Sequence, residues 1–205
     1  KNKKKKYLIF SLIANIGVLA VFKYYNFING NITGICNLMG LQNSIPYLSI
    51  ILPIGLSFHT FQAMSYTIEV YRGNQKAEKH FGIYSLYVMF YPQLVAGPIE
   101  RPQNILPQLH KENKFSFENA WLGSNLIIIG LFKKMVIADR LAVYVDQVYQ
   151  NLDSSTTVSA WLAAVFFSLQ IYCDFSGYSD IARGTAKFMG YDLMLNFDRP
   201  YLSKS

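Results

Sequence analysis

Long apolar runs alternate with short polar connections along this chain, and the runs have helical length. Tyr7–Phe22 carries no charge and as a helix would reach about 24 Å. Extending it through Lys23, Tyr24 and Tyr25 gives the roughly 20 residues that cross a bilayer, with aromatics and a lysine at the interface. Asn26–Ser44 comes next as an uncharged connection. A second apolar stretch, Ile45–Tyr71, is interrupted by Pro53 and Gly55 and ends in the polar patch Arg72–His80. Proline frees backbone groups that a membrane tolerates only beside protein or water. Phe81–Val95 is apolar but short. Pro92 and Gln93 interrupt its end, and Gly97-Pro98, Pro102 and Pro107 break up the chain beyond it. That pattern predicts a re-entrant element rather than a full crossing.

Phe115–Gln150 reads as one long helix or two, with Ser116 and Asn119 at its start. Trp121–Phe132 is apolar and Lys133-Lys134 interrupts it. Beyond the lysines, Val136, Ile137, Leu141, Val145 and Val148 alternate at helical period with Asp139, Arg140, Asp146 and Gln147. This amphipathic half predicts a helix lying at an interface or packed on protein. After the polar loop Asn151–Thr157, Val158–Cys173 is a third membrane helix. It runs straight into Asp174, Ser176, Tyr178, Ser179, Asp180 and Arg183. Asp174 is thereby predicted at or just beyond the end of a hydrophobic helix. A carboxylate at bilayer depth costs roughly 2.5–3.5 kcal/mol on insertion scales and marks a protein-lined or watered cavity. An amphipathic stretch, Ile181–Leu195, then leads to a second polar knot at Asn196, Asp198, Arg199 and Tyr201.

Composition supports a membrane class. Charged residues are 15% of the 205, against 52% hydrophobic and 16% aromatic, where an average soluble domain has roughly 25% charged. Mean hydropathy is only +0.18, so polar connections are substantial. Five of the 19 basic residues, Lys1 and Lys3–Lys6, precede the first apolar run. This clustering fits a juxtamembrane anchor facing an anionic cytoplasmic leaflet better than a nucleic-acid tail. With Arg72, Lys76 and Lys79 at the far end of the second stretch, two crossings with both basic ends inside satisfy the positive-inside rule. A cleaved signal peptide is excluded by Phe22-Lys23-Tyr24-Tyr25, which offers no small-residue site. Cys36 and Cys173 have neither CxxC nor metal-ligand spacing and read as buried small apolar residues.

The motifs for soluble chemistry are absent. There is no GxxxxGK[ST], GxGxxG or GxSxG. His59, His80 and His110 form no local metal motif, and the residues five further on are Met64, Ser85 and Phe115, so none begins an H-x4-D pair. Asp174–Thr185 fails as a calcium loop, with Ser179 at the sixth position and Thr185 at the twelfth. The plain structural alternative for the polar cluster is that Asp180 and Arg183 pair on one helix face and Asp174 caps a helix beginning at Phe175.

Six stretches together carry a resemblance. They are Pro53-Ile-Gly-Leu-Ser-Phe-His-Thr-Phe-Gln62, Val70-Tyr-Arg-Gly73, Phe90-Tyr-Pro-Gln-Leu-Val-Ala-Gly-Pro98, Phe132-Lys-Lys134 with Ala138-Asp139, Tyr172-Cys-Asp-Phe-Ser-Gly-Tyr-Ser-Asp180 and Asn196-Phe-Asp-Arg-Pro-Tyr201. In this order they resemble successive motifs of the membrane-bound O-acyltransferase family, nearest its alginate O-acetyltransferase branch, over about Tyr24–Ser205.

The resemblance implies an all-α, multi-pass integral membrane enzyme of the bacterial inner membrane, of which residues 1–205 are a single partial domain. It implies transfer of an acetyl group from a cytoplasmic thioester, such as acetyl-CoA, to an exported polysaccharide such as alginate. Its partners would be membrane lipid and a separate periplasmic acetyltransferase, with no nucleic acid, no metal and no bound cofactor. The family's Trp-Arg-Arg-Trp-His tract and catalytic histidine are expected downstream of Ser205, so this stretch alone is expected to be inactive and the catalytic role falls on none of His59, His80 or His110. His59 stands where relatives often have Tyr, which suits packing or hydrogen bonding. Gln93, Asp174, Tyr178, Ser179, Asp180, Asn196 and Arg199 are the candidates for lining the substrate tunnel. D-alanyl transfer from a carrier protein to teichoic acid is the related alternative. A transporter or scaffold with broken helices is the alternative from another class. Alanine at Asp174 in the complete enzyme is expected to lower acetylation or folded yield, and no change in either would remove Asp174 from the site.

Overall fold

A computed structural model describes residues 2–49, 55–94, 97–198 and 200–203. Pro53, Val95 and Arg199, named from the sequence above, lie outside the described residues. Among those described, the chain is helical and has no strand. The described residues form seven α-helices: α1 (Asn2–Leu38), α2 (Leu56–Arg72), α3 (Phe81–Val88), α4 (Pro102–Leu109), α5 (Phe117–Leu131), α6 (Asp139–Gln150) and α7 (Thr157–Phe188). The chain divides into two compact units, Lys1–Val88 with Arg101–Gln103, and Met89–Glu100 with Asn104–Ser205.

In the first unit α1 is far longer than the sequence predicts. At 37 residues it runs about 55 Å and takes in most of the expected Asn26–Ser44 connection. Asn29-Gly30-Asn31 has poor intrinsic helix propensity, but its neighbours are held from outside. Asn26 donates to the Leu48 carbonyl at 2.7 Å and accepts from the Leu48 amide at 3.0 Å. Buried Asn29 donates to the Ile45 carbonyl at 3.1 Å and accepts from Asn43 at 2.7 Å. These bonds fasten the returning chain along the helix, and such tertiary partners outweigh a propensity deficit of about 1 kcal/mol. Gly40, at φ 69°, then turns the chain.

Helix α2 is bounded by left-handed glycines, Gly55 and Gly73, where side chains with a Cβ would be strained. It packs on α1 through Ser11 and Thr67, whose hydroxyls are 3.3 Å apart. The expected apolar element Phe81–Val95 is shorter in helix than its composition suggests, with α3 ending at Val88. Tyr66 of α2 stacks against Tyr84 and Tyr87, with ring centroids at 4.8 and 5.9 Å. His59 Nδ1 lies 3.0 Å from the Val88 carbonyl, the hydrogen-bonding role its position suggested.

The second unit is built on an antiparallel helix pair. Ser116 caps α5 and accepts from the Asn119 amide, as the sequence predicts. Helix α5 passes through a π-helical turn, Phe132–Ala138, directly into α6, so Phe115–Gln150 contains one bent rod. The lysine pair marks that turn rather than a helix end. Val145 and Val148 of α6 are buried, which fulfils the amphipathic reading. Helix α7 returns alongside, with Tyr144 on Phe166 and Tyr149 on Phe167 at 5.3 and 5.9 Å between centroids.

Helix α7 departs from the sequence expectation. It does not end near Cys173, and Asp174 caps nothing. Thr156 is the N-cap, and the helix continues unbroken to Phe188, absorbing the first half of the expected Ile181–Leu195 stretch. It turns off only at Gly190, φ 85°. The polar residues 174–183 continue the helix because their side chains face protein partners. Cys173 is buried but Cys36 is only half-buried, so the burial expected for both holds for one.

Close approach of α5 and α7 rests on glycine. A Cβ at Gly130 would lie 2.6 Å from the Gly177 carbonyl, and one at Gly184 would lie 2.6 Å from the Gly123 carbonyl. The pairs Gly123–Gly184 and Gly130–Gly177 recur at a seven-residue spacing, so both sit on one seam. Small residues of this kind let helix backbones touch in membranes. Lys4–Leu38 and Thr157–Phe188 are long and apolar enough to cross a bilayer, and only 0% and 11% of their most apolar windows are buried. Exposed faces carrying Phe10, Ile13, Trp161, Val165 and Ile171 are lipid-like in character, whereas the core helix of a soluble protein would hide them.

Gly130→Ala is expected to lower the thermal midpoint of the detergent-solubilised protein by an overpacking cost of about 1–3 kcal/mol. Gly17→Ala, which meets nothing within 4 Å, is expected to be neutral or stabilising by up to about 1 kcal/mol. Equal midpoints for the two variants would contradict the seam.

Candidate functional site

The polar residues of α7 fall on the α5–π–α6 rod where it is π-helical. Lys133 Nζ donates to Asp180 Oδ2 at 2.6 Å and to Ser176 Oγ at 3.0 Å. Lys134 Nζ pairs with Asp174 Oδ1 at 2.6 Å and Asp139 Oδ1 at 2.9 Å, and it sits 5.7 Å from the centre of the Tyr178 ring. Arg183 adds a longer contact to Asp180, 3.5 Å, the i,i+3 pair anticipated from sequence. Three cations thus meet three carboxylates, which is the arrangement that makes charge tolerable away from water.

The π turn explains how adjacent lysines serve different partners. Its backbone bond runs from the Asp139 amide to the Lys134 carbonyl, bringing residues five apart onto one face. In an α-helix Lys134 and Asp139 would diverge; here they pair. Lys133 meanwhile turns toward the buried side of α7, where the side chains of Lys133 and Asp180 are 25% and 11% exposed. Asp174, at 43%, sits in the wetter half. Lys134 is thereby held as a cation between Asp174 and Asp139.

Of the seven candidates, Asp174, Tyr178, Ser179 and Asp180 lie within two turns of α7. Ser179 is buried and its Oγ accepts from Asn196 Nδ2 at 3.1 Å, so the second polar knot is tied back to the first. Gln93 occupies a 3₁₀ turn, Tyr91–Gln93, that packs on α7. It is buried, and its Oε1 has no hydrogen-bond partner among the described residues. Leaving such an oxygen unpaired costs about 1–3 kcal/mol. Arg199 lies outside the described residues. Asp174 and Asp180 are consumed by ion pairs, while Gln93 retains unused hydrogen-bonding capacity.

Three contributors escaped the site prediction. Lys133 and Lys134 read as a break in an apolar helix. Their signal was two adjacent cations with Asp139 five residues on from the second, a spacing that makes sense only in a π turn. Glu100 is the third. It is fully buried, accepts from Asn104 Nδ2 at 2.9 Å and takes a short bond from the Met194 amide. With Gln108 accepting from the Asp192 amide at 2.8 Å, it anchors the segment leading to Asn196. Beside this constellation Arg183, Lys187 and Asn125 border a cavity of about 290 Å³ whose other walls include Leu122, Leu126 and Ile129.

An all-helical membrane protein with a neutralised polar seam is the class these features define. No family model matches the chain. A probable alginate O-acetylase AlgI of Pseudomonas syringae pv. tomato is 38% identical over 205 residues, covering 98% of this chain and 38% of the relative. A peptidoglycan O-acetyltransferase of Helicobacter pylori is 35% identical over 224 residues, covering 97% and 42%. A teichoic acid D-alanyltransferase of Bacillus subtilis is 24% identical over 154 residues, covering 74% and 39%. Along nearly its whole length the chain is similar to O-acetyltransferases of the alginate O-acetylase kind. It spans about two-fifths of the length of the curated relatives it matches.

Lys133→Met is expected to destabilise the protein by roughly 3–5 kcal/mol, because Asp180 is left buried without its main partner. Lys133→Met with Asp180→Leu is expected to recover most of that loss, read as the midpoint of thermal aggregation in detergent. A double variant no more stable than the single one would show that the lysine's value lies elsewhere than in this pair.

Proposed function

We propose that these residues belong to a multi-pass O-acyltransferase of the bacterial inner membrane. It takes an acetyl group from a cytoplasmic thioester, acetyl-CoA in the simplest case, and passes it to an exported polysaccharide. The similarity to O-acetyltransferases across nearly the whole chain carries this reading. In it residues 1–205 are part of one membrane domain, and a periplasmic acetyltransferase is the partner the outward route would use. Phe81–Pro98 would enter the membrane and leave on the same side, bringing Gln93 to the seam.

The roles divide by charge. Asp174 and Asp180, clamped by lysines, hold the walls of the tunnel at fixed spacing. Gln93, Tyr178, Ser179 and Asn196 offer uncharged hydrogen-bonding groups along it, and Arg199 is a further candidate from the sequence. The 290 Å³ cavity against Leu122, Leu126 and Ile129 has room for a short acyl chain. A site excluded from bulk water would protect a thioester from hydrolysis. None of these groups supplies the nucleophile or general base.

A second reading, D-alanyl transfer from a carrier protein to teichoic acid, has the Bacillus subtilis relative in its favour. The complete enzyme, reconstituted in vesicles with acetyl-CoA labelled in the acetyl group outside and polysaccharide inside, is expected to move label onto the polysaccharide. Transfer only from a D-alanyl carrier would select the second reading. Transfer from neither donor would defeat acyl transfer.

A further inference from the structure

We infer that the groove between the start of α1 and the end of α2 is a binding site for an anionic phospholipid. Its phosphate would sit on Lys4 and Lys76 and an acyl chain would run along Leu8 and Val70.

This groove is a cavity of about 660 Å³ in the first unit, bordered by Lys4, Tyr7, Leu8, Val70, Tyr71 and Lys76 among others. That volume is within the range of sites that hold organic ligands. Its two ends differ in chemistry. At one, Lys4 and Lys76 are exposed, and no carboxylate is among the described residues lining it. The acids nearest in sequence are turned to other partners. Glu69 accepts from Asn74 and Gln103 at 3.0 and 2.5 Å, and Glu78 accepts from the amides of Lys79 and His80 at 2.9 Å each. At the other end Leu8 and Val70 form an apolar wall, closed by the Ser11–Thr67 contact.

Position along the membrane normal singles out the ligand. Lys4 opens the apolar span Lys4–Leu38, and Tyr7 and Tyr71 flank the groove at the depth where amphipathic aromatics sit among headgroups. Below them α1 continues with exposed Phe10, Ile13 and Ile16, so the apolar wall opens onto lipid-facing surface. A soluble phosphate compound would use the lysines and leave that wall wet. An anionic phospholipid satisfies both ends together, drawn to basic residues at the membrane surface. Because Lys4 belongs to α1 and Lys76 to the chain just beyond α2, the lipid would also bridge the two helices. This inference is independent of the acyl-transfer reading.

The complete protein, purified in mild detergent and incubated with phosphatidylglycerol or phosphatidylcholine, is expected to retain phosphatidylglycerol selectively when weighed by native mass spectrometry. Lys4→Gln with Lys76→Gln is expected to reduce retention about tenfold or more. Lys5→Gln with Lys6→Gln, whose side chains do not line the groove, is expected to change it little. Leu8→Trp keeps every charge but fills the groove, and it is expected to exclude the lipid. Should that variant misfold, the two lysine pairs still decide the matter. Equal retention of both lipids, equal loss from both lysine pairs, or retention by a folded Leu8→Trp variant would each overturn the site. Displacement by glycerol 3-phosphate would overturn the lipid in favour of a soluble ligand.

Discussion

With no side chain at Gly123, Gly130, Gly177 or Gly184, the backbones of α5 and α7 come into contact, and that contact governs the second unit. It brings the lysines of the π turn within reach of carboxylates on α7 that a wider crossing would leave stranded. The six charges of the seam are costly in a low-dielectric setting unless opposite charges meet closely. Here the two shortest pairs close at 2.6 Å, and Arg183 adds a longer contact to Asp180 at 3.5 Å. Steric permission from glycine and electrostatic closure by the lysines are therefore one device. Loosening the first would expose the second.

The same device separates holding from reacting. Asp174 and Asp180 are the most conspicuous polar residues of α7, yet both are spoken for by lysine. Groups with unspent hydrogen-bonding capacity sit around them, above all the Gln93 side chain, whose oxygen is buried and unpartnered among the described residues. Glu100 extends the scaffold outward by gripping the Met194 amide, which sets where Asn196 can reach Ser179. Under the proposed acyl transfer, the charge pairs would hold the walls of a tunnel and the neutral polar groups would be left to meet a substrate.

The first unit follows a different logic. Its long helix is fastened by asparagines that bond the returning backbone, so polarity there is consumed by main-chain groups rather than by ion pairs. Apart from Lys23, its charges gather at one end, with Lys4 and Lys76 around an amphipathic groove. A basic end beside an apolar run is what a membrane surface selects.

The sequence by itself determined the helical character of the chain, the apolar runs within α1 and α7, the amphipathic face of α6, the Ser116 cap and the pairing of Asp180 with Arg183. These features depend on periodicity and on neighbours within one or two turns, which the sequence displays directly. Six ordered motifs also carried the family. Only the tertiary structure decided where helices end and what the charges do. Asn29-Gly30-Asn31 is helical because Ile45, Pro46 and Asn43 come back to it. Asp174, Ser176 and Asp180 sit within an unbroken helix with Lys133 and Lys134 meeting their side chains, Lys133 lying more than 40 positions away from Ser176 and Asp180. Such long-range partners leave no local periodic trace, and a π turn that aligns residues five apart hides even the short-range pair Lys134–Asp139 from a reading based on 3.6 residues per turn.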